Sequence, residues 1–145
     1  MFKLYEITEH PISIDQVTAR LADPANGAVA TFVGVVRGET GACPTQLRRT
    51  LYLEYEAYPD MAEVTLRQVG EEVQARWPEI RQVAITHRVG RLEVGEIAVV
   101  IALCAGHRSQ VFDALHYAID RVKEIVPVWK KEVWADGVSE WKSEI

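Results

Sequence analysis

A chain of 145 residues, 48% hydrophobic and 26% charged, is long enough for one domain with a sizeable core and has the composition of an ordinary globular protein. Its net charge of −5 argues against general nucleic-acid or membrane-surface binding, while leaving room for a local basic cluster that takes an anionic small molecule. Cys43 and Cys104 lie far apart without metal-ligand spacing and read as free thiols. The first residues lack the apolar core of a secretory signal, and no run reaches the roughly eighteen apolar residues of a membrane span, so the cytoplasm is the expected location.

Residues 2–7 alternate and predict a short strand. Ser13 is placed to cap a helix carrying Ile14, Val17 and Leu21. Pro24, Asn26 and Gly27 then break the chain. Ala28 to Val36 is β-rich and predicts a central strand, ending at Arg37-Gly38. Residues 38–49 predict a loop closed by Arg48-Arg49. Leu51 to Ala57 alternates and predicts the next strand, with Glu54 and Glu56 on one solvated face. A helix is predicted from about Asp60 to Trp77, closed by Pro78. Ile80 to His87 reads as a strand, and Gly90, Leu92, Gly95 and Glu96 as a turn. His87 has no partner at ligand spacing and reads as structural. Ile97 to Ala105 is almost unbroken apolar, as in a strand buried on both faces.

The stretch after Ala105 carries the chemistry. Val111, Leu115, Ala118 and Val122 recur at helical spacing, and Pro127 ends the run after Val126. His107 and Arg108 sit at the start of that helix, where unpaired N–H groups favour a phosphate or carboxylate; an ordinary solvated cap is the competing reading. Lys123 lies in the last turn, and Lys130-Lys131 on an extended segment beyond it. Successive strand residues face opposite ways, so Lys130 and Lys131 do not share one cleft. A lysine that is desolvated, or beside another cation, has a lowered pKa and serves as acid, base or nucleophile. The chain closes through Val133-Trp134-Ala135, a turn at Asp136-Gly137, and Trp141. Strands and helices mix without strict alternation, which predicts an α+β single domain, residues 1–145, with a largely antiparallel sheet and about three helices.

The run His107-Arg108, Phe112, Ile119-Asp120, Lys123, Val126-Pro127, Trp129-Lys130-Lys131-Glu132 resembles the catalytic large subunit of molybdopterin synthase. So do Phe32-Val33-Gly34-Val35-Val36-Arg37 and the His87-Arg88 segment with its glycines, and the likeness covers nearly the whole chain. The resemblance implies an α/β hammerhead fold and a sulfurtransferase of molybdenum cofactor biosynthesis. Such an enzyme converts cyclic pyranopterin monophosphate to molybdopterin by installing two dithiolene sulfurs, each delivered as a thiocarboxylate on the C-terminal Gly-Gly of a small ubiquitin-like subunit. It also implies a heterotetramer, with a homodimer of large subunits at its centre, and no metal or nucleotide cofactor. By the same resemblance Lys123 and Lys130 are the catalytic pair. Val35, Val36, Arg37, His107, Arg108, Lys131 and Glu132 are the further substrate contacts. Two other classes fit the residues: a Schiff-base lyase acting on a phosphorylated carbonyl compound, and a non-catalytic module that binds an anion or a partner.

Overall fold

The apolar run Ile97–Ala105 forms strand β7 inside a four-stranded sheet, between β5 (Ile80–Arg88) and β2 (Ala28–Val35), with β1 (Tyr5–Thr8) beyond β5. The computed structural model describes residues 3–40 and 48–142. Cys43 and most of the predicted 38–49 loop therefore lie outside the described residues. Strand parity explains the unbroken apolar run, because β7 feeds two cores. Val99, Ile101, Leu103 and Ala105 join the core built with helices α2 (Pro59–Arg76) and α3 (Val111–Ile125). Val100, Ala102 and the buried free thiol Cys104 join a smaller core with Val17 and Leu21, from and just after α1 (Ile14–Ala19). Strand β2 is at the edge of this sheet, not its centre. Its apolar character comes from residues such as Ala28, Ala30 and Phe32, which pack on the larger core.

Local chemistry sets the helix ends. Ser13 Oγ accepts the Gln16 N–H at 3.2 Å to open α1. Pro59 occupies the first turn of α2, where its missing N–H costs nothing, and Pro78 follows the end. Gly70 lets α2 lie close on β1, for a Cβ there would collide with the hydroxyl and ring of Tyr5. Helix α3 is led in by a 3-10 turn at Arg108–Gln110 and ends before Pro127. Glu72 on α2 clamps it. The carboxylate accepts from Tyr117 Oη at 2.6 Å and from Arg121 Nε and Nη2 at 2.8 and 3.1 Å, contacts that pull its pKa down to about 2.

A second sheet is built around β4 (Arg48–Ala57). Strand β8 (Val128–Trp134) pairs along one edge of β4, while β3 (Glu39–Thr40) and β6 (Gly90–Glu93) take successive parts of the other. Strand β9 (Ser139–Lys142) pairs beyond β8. Apart from the parallel β1–β5 pair, every ladder among the described residues is antiparallel. Three expectations change here. Arg48-Arg49 open β4 instead of closing a loop, because they pair with Thr40 and Glu39. Gly90–Glu93 is a strand, and the turn falls at Gly95, whose φ of +89° suits glycine. The Asp136-Gly137 turn, with Gly137 at φ +85°, returns the chain as β9, which its mostly exposed residues concealed. No helix among the described residues is long and apolar enough to cross a membrane.

Candidate active site

The two sheets meet beneath the C-terminal half of α3 and leave a cavity of about 420 Å³. Strand alternation decides what enters it. On β4 and β8 the register pairs Tyr55 with Lys130 and Leu53 with Glu132, and all four side chains line the cavity. The other face carries the alternate residues. There Lys131 Nζ meets Glu54 Oε2 at 3.0 Å, and Trp129 Nε1 donates to Glu56 at 3.3 Å. From above, α3 contributes Ile119, Val122 and Lys123. Phe32 to Val35, Arg37, Ala98 and Val99 close the remaining side.

The floor is buried and polar. Glu132 is 4% exposed in its side chain, and its Oε1 lies 3.4 Å from Lys130 Nζ and 3.3 Å from Lys142 Nζ on β9. Its Oε2 is buried without a hydrogen-bond partner. Burial lowers the Lys130 pKa; Glu132 opposes this, while Lys142 and Arg37 add to it. Beside them His87 is 1% exposed and stacks edge-on to Tyr55 at 5.2 Å. A carbonyl can only accept, so the 2.8 Å contact of His87 Nδ1 with the Arg88 carbonyl puts the proton on Nδ1 and leaves Nε2 a lone pair. Desolvation lowers the His87 pKa to about 4, so the ring is neutral near pH 7. Burial, with Glu132 adding to it, raises the Tyr55 pKa to about 12, so its phenol stays protonated.

Of the residues singled out in the sequence, Val35, Arg37, Lys123, Lys130 and Glu132 come together here. Arg37 and Lys123 are exposed at the mouth; Lys130 lies deeper. Val36 is buried behind the wall, its N–H donating to the Glu96 carbonyl and its own carbonyl accepting from Gly95, both at 2.9 Å. Lys131 is on the opposite sheet face. His107 and Arg108 are exposed just before the far end of α3, sixteen and fifteen positions before Lys123, or more than about 20 Å at helical rise. His107 Nδ1 accepts the Ser109 N–H at 3.3 Å and so caps the 3-10 turn. Tyr55 and His87 were missed as site residues. The alternation of Leu53 and Tyr55 carried a signal for the first; nothing in the sequence placed His87 at a cavity wall.

The lining sets the cations Arg37, Lys123 and Lys130 against the carboxylate of Glu132, a positive cavity in an acidic chain. Apolar walls with a few convergent charged groups suit a small, partly flat anion and proton transfer to or from it. Among the described residues no group of three His, Cys, Asp or Glu side chains could hold a metal ion.

Comparison with known proteins identifies the family. The chain is 55% identical over 135 residues to the molybdopterin synthase catalytic subunit of Halalkalibacterium halodurans, covering 93% of this chain and 83% of that protein. The crystal structure of molybdopterin synthase from Staphylococcus aureus superposes with a TM-score of 0.89 at 44% identity, covering 98% of both chains. A protein–protein complex of subunits 1 and 2 of molybdopterin-converting factor from Helicobacter pylori shares the fold, with a TM-score of 0.72 at 15% identity over 92% of this chain and 87% of that one. The family model described as MoaE protein matches residues 7–125, and with these relatives it establishes that the chain belongs to the MoaE family.

Proposed function

We propose that this chain is the catalytic subunit of a molybdopterin synthase and that the cavity beneath α3 is its active site. The observation that carries the reading is the convergence of Lys123 and Lys130, from a helix end and a strand, on one positively charged cavity with a neutral histidine and a phenol in its wall. The substrate is a cyclic pyranopterin monophosphate. Arg37 at the mouth meets its anionic end. Attack by the thiocarboxylate sulfur forms a carbon–sulfur bond as oxygen leaves the same carbon, taking up protons to depart as water, and hydrolysis of the resulting thioester leaves the sulfur on the substrate and returns the carrier tail as a carboxylate. Lys130, whose lowered pKa makes its ammonium a readier proton donor, and Lys123 at the mouth supply those proton transfers. Glu132 holds Lys130 in place.

The sulfur donor is a small ubiquitin-like subunit whose C-terminal Gly-Gly carries the thiocarboxylate, and its tail enters between Arg37 and Lys123. The fold shared with a two-subunit complex supports such a partner. His107 and Arg108 lie about a helix length from Lys123, so a role for them at a substrate in this cavity requires a second copy of the chain, as in a central homodimer. The reaction belongs in the cytoplasm. The direct test is single-turnover conversion of the pterin precursor with a thiocarboxylated small subunit. Wild type should yield molybdopterin; no sulfur transfer under those conditions would overturn the reading. Mixing Lys123→Met with Arg108→Ala chains should restore partial activity if two copies share each site, and complete inactivity of the mixture would reject sharing.

A further inference from the structure

We propose that Lys142 is a positioning residue of this cavity: from β9 it takes a share of the Glu132 carboxylate and thereby keeps Lys130 loosely paired. The inference rests on the reading of Lys130 as a proton-transfer group. The β8–β9 register sets Lys130 directly opposite Lys142, and like charges so placed repel. Glu132, two residues on and on the same face as Lys130, relieves that repulsion. A single oxygen, Oε1, lies 3.4 Å from one ammonium and 3.3 Å from the other, while Oε2 is buried with no hydrogen-bond partner. The carboxylate is thus divided between two cations at one atom and does not grip Lys130 with both.

The groups facing Lys130 from each neighbouring element are Glu132 on β8, Lys142 on β9, Tyr55 on β4, Arg37 after β2, Lys123 on α3 and neutral His87 on β5. Glu132 favours the Lys130 ammonium, and Lys142 and Arg37 disfavour it. Without Lys142, the Lys130–Glu132 contact becomes a one-to-one ion pair. The ammonium is then favoured, and less neutral amine is present at a given pH. The Lys142 side chain is 34% exposed, so solvent screens part of its pull and added salt weakens it further. Lys142 itself touches no substrate in this account; it acts through Glu132.

The test follows the Lys130 side chain by NMR in protein labelled at lysine Cε, the signal being assigned by its loss in Lys130→Met. In Lys142→Met and in Lys142→Gln the Lys130 midpoint should move to higher pH. The limb of the single-turnover pH profile that titrates Lys130 should move the same way. Lys142→Arg, which keeps the charge, should stay at the wild-type position. An unmoved midpoint in folded Lys142→Met overturns the inference, and so does an equal shift in Lys142→Arg. Wild type that fails to convert the pterin precursor would sink the active-site reading separately, with the NMR titration still deciding the role of Lys142.

Discussion

Lys130 and Lys131 are adjacent in sequence and opposite in placement, and that difference is open to experiment. Methionine keeps most of a lysine's aliphatic stem and removes its charge and proton. Lys123→Met should abolish turnover and Lys130→Met should impair it severely. Lys131→Met should keep more activity, because its partner is Glu54 on the outer face. Single-turnover assays on variants with wild-type circular dichroism decide this, and near-normal turnover in Lys123→Met would remove the centre of the reading. His87 gives a second test through stability. Its pKa falls from 6.5 to about 4 on folding, so between those values the unfolded chain binds the proton and the folded one does not. The contribution is therefore complete above about pH 6.5 and is lost as pH falls toward 4, on the order of 3 kcal/mol in all. Urea unfolding at pH 7 and pH 4.5 should show a smaller acid loss in His87→Gln than in wild type; equal losses would contradict it. Alternation showed in advance that Lys130 and Lys131 face opposite ways, and only the family resemblance picked Lys130 as the inward one, whereas the burial of His87 depends on contacts with Tyr55 that its own segment does not encode.

The two large helices were legible because apolar spacing and flanking prolines are local signals: α2 begins and ends within a residue of the expected places and α3 ends where Pro127 predicts, but α3 starts only at Val111, because the expected first turn at Arg108–Gln110 is 3-10. Strands β6 and β9 were not, for short, exposed strands carry little hydrophobic pattern and exist through their partners β4 and β8. The edge position of β2 was likewise hidden, since packing on a helix gives an edge strand the same composition as a central one. Close packing of α2 on β1 at Gly70 supplies a test at this scale. Gly70→Ala adds a methyl group where the Tyr5 hydroxyl and ring already sit, and both are buried. Overpacking of this kind costs about 1–3 kcal/mol, enough to outweigh the helix propensity gained from alanine. Chemical denaturation should show a lower midpoint for the variant, and an unchanged or higher one would mean that α2 slides on β1 at little cost.

Taken whole, the chain presents its two ends of α3 to different places: Lys123 to its own cavity, His107 and Arg108 to the surface. A second copy reconciles these positions, so light scattering at micromolar concentration should report a dimer, and a monomer would reject that assembly. The pairing of β4 with β8 has a further consequence, for synthesis. Tyr55 and Lys130 are neighbours in the sheet but about 75 residues apart in the chain, so closing that ladder carries a large loop entropy and depends on a strand made near the end of translation. Until β8 leaves the ribosome, one edge of β4 is bare, and an unpaired edge beside an apolar face invites pairing with other chains. A chain released after Ile125 keeps α3 and Lys123, yet it should sediment as aggregate where the full chain stays dispersed. The strand that completes the cavity beneath α3 is then also the one that makes the newborn chain safe to release.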